Sequence, residues 1–269
     1  MTPDLIQKLQ ILADKYETAS FCDADPSQFL RWYSLDRVAD VECASFIAAM
    51  LAFGNRKQFI PKIKEILTTA DTTSGSITAW LMSGAPGFPT GEKKFYRFYS
   101  YDDMHCLFKE LAAIIKQSGT LGDFFKGKVF PCLQPAALSS ATPSSGGTPQ
   151  RPGSLAYLIS AAFPKSAIVP KGKNSANKRV HMFLRWMVRR NSQVDLGLWQ
   201  WAEPAGLLIP LDVHVMQEAI GLGLLPEAAK ATRKTAEELS GAVEVAFPGD
   251  PARADFALFG LGVDNTADA

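Results

Sequence analysis

Ser175–Arg190 reads SANKRVHMFLRWMVRR, and its periodicity decides what kind of protein this is. At 100° per residue with Lys178 at the origin, Arg185 and Arg189 fall within about 20° of it, while Val180, Phe183, Leu184 and Met187 take the opposite arc. The segment therefore reads as an amphipathic helix with a basic face and an apolar face. Ser175 is the expected N-cap, which puts Lys178 in the first turn. There the positive end of the helix dipole and neighbouring Arg179 disfavour an ammonium ion and favour a lysine of lowered pKa, the form a nucleophilic amine needs. A surface lysine on an ordinary helix is the plain alternative.

Helical spacing continues in both directions. Leu5, Leu9, Ile11 and Leu12 fit a first helix. VECASFIAAMLAF (Val41–Phe53) is an apolar helix with Asp40 as its expected cap and Gly54 as its stop. Phe59, Ile63, Ile66 and Leu67 give another, and Met104, Leu107, Phe108, Leu111, Ile114 and Ile115 a further one before Ser118 and Gly119. One short strand is expected around Phe95–Tyr99. Downstream, GLLIPLDVHVMQEAIGLGLL places Asp212 after an apolar run and Pro210, at the entry to a helix with Val215, Met216, Ala219 and Ile220 inside. Such an Asp is an N-cap, and the backbone N–H groups it accepts keep it ionised, so it can serve as cap and site anion together. His214 reads as a polar residue of the same turn.

Between Gly127 and Gly153 the composition turns to Pro, Ser, Gly and Ala (PAALSSATPSSGGTPQRPG), too poor in apolar area to offset ordering. The reading is all-α in two helical halves, 1–126 and 154–263, with a disordered insert at 127–153 and a tail at 264–269. A length of 269 residues and 47% hydrophobic content support a full core. No window is apolar enough to span a membrane and MTPDLIQKLQILADKYE lacks the pattern of a signal peptide, so no membrane is expected and a cytoplasmic, nucleoid-associated place is. Cys22, Cys43, Cys106 and Cys132 have no metal-ligand spacing, and with His105, His181 and His214 as the only histidines neither metal nor cofactor is expected.

Charge is segregated along the chain. Phe124–Val194 holds 71 residues without Asp or Glu and with 11 Lys and Arg; the remainder has 17 basic and 27 acidic residues. Eight of the cations lie in Lys165–Arg190, outside the insert. A positive middle on an acidic body suits a polyanion such as nucleic acid, held through a local patch although the net charge is only +1.

SANKRVHMFLRWMVRR, LLIPLDVHV (Leu207–Val215), DPARADFALFGLGV (Asp250–Val263) and DVECASFIAAMLAFGNRK (Asp40–Lys57) together resemble the DUF2400 family of uncharacterised bacterial proteins over most of the chain outside the insert. More distantly, a lysine opening a helix followed by P-L-D-V-H-V is similar to the helix-hairpin-helix DNA glycosylases, nearest to the archaeal 8-oxoguanine glycosylase branch. VPKGKNS (Val169–Ser175) stands in place of the usual L-P-G-V-G hairpin, and no four-cysteine cluster follows Asp212, which excludes the iron–sulfur branch.

That resemblance implies the two-lobed helical glycosylase fold and a base-excision glycosylase with AP-lyase activity on double-stranded DNA carrying a damaged base. Lys178 is then the Schiff-base nucleophile, with Lys173 as the alternative amine, and Asp212 the carboxylate assisting it. Lys171, Lys173, Ser175, Arg179, Arg185 and Arg189 would hold phosphates, and Asn55 would lie near the extruded base or the opposite strand. Trp186, Trp199, Trp201, Phe95 and Tyr96 are available to line a base pocket. A non-catalytic nucleic-acid-binding protein that keeps the same fold is the alternative.

Overall fold

The computed structural model describes residues 1–130 and 153–267, with side chains described through Gly262. Eleven α-helices carry the described chain: α1 (Pro3–Tyr16), α2 (Val38–Leu51), α3 (Arg56–Ser74), α4 (Ile77–Met82), α5 (Tyr101–Ser118), α6 (Leu121–Val129), α7 (Ser154–Ala162), α8 (Lys178–Val188), α9 (Val213–Gly221), α10 (Arg233–Val243) and α11 (Ala254–Ala267). A hairpin of β1 (Lys94–Tyr96) and β2 (Tyr99–Ser100) sits between α4 and α5. The fold is all-α, and no described helix is long and apolar enough to cross a membrane.

α2 organises the larger of two apolar clusters. Every residue from Asp40 to Leu51 is buried, as an almost uniformly apolar helix requires, and α3–α8 pack around it. Asp40 is the third residue of α2 rather than its cap: Arg37 holds the cap position, and the Asp40 carboxylate accepts from the Thr78 N–H at 2.9 Å, tying α2 to α4. Glu42 does the same for α6, accepting from the N–H groups of Leu121 at 2.7 Å and Gly122 at 3.1 Å and from the indole of Trp199 at 2.7 Å. Burial pushes its carboxyl up to about 7, the three donors opposing.

The second cluster joins Leu9, Leu12 and Ala13 of α1 to α9, α10 and α11. The expected halves therefore do not match the packing. α7 and α8 belong with the first cluster, while the first helix of the chain lies along the last, with Gly260 giving the Tyr16 ring room to approach. The expected insert also has different edges. Gly127–Val129 complete α6, and Gly153 caps α7 in the left-handed region at φ 76°; residues 131–152 lie outside the described residues. α11 runs to Ala267, through most of the expected tail.

Candidate functional site

α8 begins at Lys178, two residues later than a cap at Ser175 would start it, because its cap is Asn177; Lys178 is still in the first turn. Asn177 takes φ 51°, a conformation Asn tolerates better than most residues, and turns its side chain inward, where Nδ2 donates to Ser160 Oγ at 3.1 Å. Gly172, at φ 67°, leaves the space this requires: a Cβ there would stand 2.5 Å from Asn177 Nδ2. Ser175 instead pairs across to Thr232, and the Arg233 N–H donates to the Asn174 carbonyl at 3.0 Å. The turn before α8 is thus stitched to the start of α10.

This seam between the two clusters brings Lys178 to Asp212. Lys178 Nζ donates to Asp212 Oδ2 at 2.6 Å, and Asp212 Oδ1 caps α9 by accepting from the Val215 N–H at 2.9 Å. Both side chains reach solvent, with 38% and 26% of their surfaces exposed. Burial alone would raise the Asp212 pKa; Lys178, the Val215 N–H and His214 outweigh it and hold the carboxyl below its ordinary value. His214 itself is exposed on the first turn of α9.

Asp255, in the first turn of α11, lies behind this pair. Burial pushes its carboxyl up to about 6, against the opposing charges of Arg185 and Lys178 and with the Asp212 carboxylate adding to the rise. Asp255 accepts an ion pair from Arg185, which also reaches Asp195 at 3.2 Å. Sequence reasoning misses Asp255 although it stands inside DPARADFALFG. Its signal is an acid two turns before Gly262, in a stretch that is otherwise apolar from Ala254 to Val263.

The cations read as phosphate ligands divide sharply. Arg185 and Arg189 are buried, with 3% and 2% exposure, and are paired with Asp195, Asp250, Asp255 and Glu17, so they do not form a basic face. A helical wheel shows the period of α8 but not the carboxylates that other segments bring to it. Lys171 Nζ donates to the carbonyls of Phe163 and of Ser166, the latter at 2.9 Å, fastening the chain end of α7. Lys173 and Ser175 are exposed. Asn55 caps α3 through the Lys57 N–H at 2.9 Å and is exposed. Arg179 donates to the Met50 carbonyl at the end of α2 and to Tyr99 Oη at 3.3 Å, with its guanidinium 4.8 Å from the centre of the Phe53 ring.

Trp186, Trp199, Phe95 and Tyr96 are core residues with 0–5% exposure and cannot line an open pocket; Trp201 is partly buried against them. Phe98, at the turn of the hairpin, is an exposed aromatic packed against Phe53, the ring that Arg179 covers.

These features define an all-helical protein in which a lysine and an aspartate, each at the N-terminal end of a helix, meet at the seam between two cores. The chain belongs to the family described as protein of unknown function (DUF2400), whose model matches residues 25–264. No curated protein and no solved structure matches it.

Proposed function

We propose that the protein is a DNA glycosylase with AP-lyase chemistry, related to the helix-hairpin-helix enzymes, in which Lys178 is the nucleophile and Asp212 its proton acceptor. The observation that carries this reading is the 2.6 Å contact between Lys178 Nζ and Asp212 Oδ2 at a solvent-reaching position. Thirty-four residues separate the two in the chain, and each opens a different helix.

In this reaction Asp212 takes a proton from Nζ. The freed amine attacks C1′ of an extruded nucleotide as the C1′–N bond breaks and its electron pair leaves with the base. Asp212 hands that proton to the departing base; an Nζ proton then moves to O4′ as the C1′–O4′ bond opens, giving the Schiff base, whose positive charge the Asp212 carboxylate, fixed by the Val215 N–H, faces. Loss of a proton from C2′ expels the 3′ phosphate and nicks the strand. Arg179 and Lys173 supply positive charge for the flanking phosphates; Arg185 and Arg189 contribute none, being buried.

The test is borohydride trapping on duplex DNA carrying 8-oxoguanine, uracil or an abasic site, comparing the wild type with Lys178→Gln. An adduct that vanishes in the variant supports the assignment, and an adduct that persists moves the role to another amine such as Lys173. A fully folded protein that binds DNA in a salt-dependent way yet gives no adduct on any substrate supports the non-catalytic reading, in which the pair only ties α8 to α9.

A further inference from the structure

The hairpin segment Lys93–Tyr101 reads KKFYRFYSY: aromatic residues alternate with Lys93, Lys94 and Arg97, and no acid is among them. Its inward rings, Phe95, Tyr96 and Tyr99, are buried. Phe98 points the other way and is 58% exposed, although it is one of the large apolar side chains that ordinarily seek the core.

The turn that presents Phe98 is held from several sides. Tyr96 pairs with Tyr99 across the hairpin, Lys94 Nζ donates to the Phe98 carbonyl at 2.9 Å, and Tyr96 Oη donates to the Phe53 carbonyl. Arg97 occupies the left-handed region at φ 51° and lays its guanidinium over Gly54, where a Cβ would stand 2.4 Å from Nη1. The Phe98 ring packs edge-on against Tyr99 at 4.5 Å and lies 5.5 Å from Phe53. Two guanidiniums converge on Phe53, Arg179 at 4.8 Å and Arg97 at 5.9 Å from its centre. Arg179 is the residue after Lys178, so the first turn of α8 carries both the lysine of the Lys178–Asp212 pair and a guanidinium of this aromatic surface.

We propose that Phe98, backed by Phe53 and flanked by Arg97 and Arg179, is a stacking surface for an unstacked nucleobase of the nucleic acid bound at the Lys178–Asp212 site; the identity of the partner rests on the glycosylase reading of that site. A rigid exposed ring offers a flat π-face to any base at small entropic cost, and the cations beside it meet the phosphates that accompany every base. Intact duplex buries its bases in the stack and offers Phe98 no face. Single strands, and duplexes with an abasic gap, do.

The experiment measures binding of the full-length protein to a labelled single strand, an intact duplex and the same duplex with one abasic position, across a salt series. Phe98→Ala is expected to bind the single strand and the abasic duplex about tenfold or more weakly, with intact duplex unaffected. Because Phe98 carries no charge, the slope of log K against log salt stays that of the wild type, whereas Arg97→Asn, which keeps the left-handed turn accessible, lowers it by about one. In Phe98→Trp the added indole emission is quenched by the single strand and not by polyphosphate of equal charge. Phe98 is exposed and the variants are expected to melt with the wild type, which the same samples check.

Affinity of Phe98→Ala unchanged for every substrate overturns the proposal. So does quenching of the Phe98→Trp emission by polyphosphate as strong as by the oligonucleotide. Borohydride trapping of the same variants separates the two readings. Adduct without base-dependent quenching leaves the lysine chemistry and removes the stacking surface; quenching and a Phe98-dependent affinity without adduct do the reverse.

Discussion

Arg189→Met asks whether the second arginine of the α8 wheel is a phosphate ligand or a structural cation. Its Nε lies 2.8 and 3.0 Å from the two Asp250 carboxylate oxygens, its Nη2 2.9 Å from Asp250, and its Nη1 2.9 Å from Glu17 and in contact with Asp195. With 2% of its side chain exposed, the substitution leaves three carboxylates without their shared cation, Glu17 and Asp195 buried and Asp250 partly so. Removing one partner of a buried pair costs about 3–5 kcal/mol. For a chain of this size that corresponds to a loss in melting temperature of roughly 6–20 °C. A surface arginine that grips phosphate would change stability by about 0.5 kcal/mol at most. Thermal and urea unfolding followed by tryptophan fluorescence, at neutral pH and again near pH 4, decide between them. Carboxylates that lose their cation hold protons more tightly in the folded protein, so their contribution is present at low pH and lost as pH rises. The deficit of the variant is therefore larger at neutral pH than near pH 4. A variant that melts with the wild type and instead loses one unit of salt dependence in DNA binding refutes the buried-network argument.

Asp212→Asn keeps a good N-cap for α9 and breaks an ion pair open to solvent, so it is expected to shift stability by about 1 kcal/mol or less. Its rate of borohydride-trapped adduct formation should nevertheless fall by about a hundredfold or more, and an unchanged rate removes Asp212 from the chemistry. Gly260→Ala puts a Cβ about 2.0 Å from the Tyr16 ring at the α1–α11 seam and is expected to cost about 1–3 kcal/mol, read by urea unfolding. His181 is buried, and burial with the nearby Arg233 charge lowers its pKa to about 4. The unfolded chain therefore binds this proton first, and stability falls as pH drops from about 6.5 to 4. Glu42, raised to about 7, acts oppositely: it favours folding at low pH and loses that contribution as pH rises from about 4.5 to 7. Melting curves across pH 4–7 should flatten on the acid side in His181→Leu and steepen there in Glu42→Gln, and parallel profiles would show that neither group carries the linkage.

The helices were legible because their periodicity is set by local geometry. α2, α3 and α5 occur where apolar spacing places them, and Asp212 caps α9 because an Asp after Pro210-Leu211 has little else to do. Lys178 lies in the first turn of α8 as read, although the residue that caps it is Asn177. That exchange depends on Gly172 and Ser160, whose approach is tertiary. The same limit explains Arg185 and Arg189: amphipathicity registers charge and not whether Asp195, Asp250, Asp255 and Glu17 will arrive to bury it. It also explains the packing of α1 against α11, since nothing local in either helix names a partner from the other end of the chain.

The buried network and the lysine–aspartate pair meet in Asp255, and this junction gives the cluster a role beyond holding α8 in place. Arg185 and Arg189 face Asp195, Asp250, Asp255 and Glu17, and Arg253 adds a third guanidinium shared with Asp14 and Glu17, so carboxylates outnumber cations. The surplus is consistent with carboxyls pushed upward by burial at Asp250 and, to about 6, at Asp255. Of these acids it is Asp255 that feels the charges of both Lys178 and Asp212. α8 is thus fixed at both ends, at its start by Asn177 turned into Ser160 and at its last turn by the buried ion pairs of Arg185 and Arg189. Lys178 is left as the cation of the helix that reaches a carboxylate at the surface, held beside Asp212 by a helix anchored at both ends.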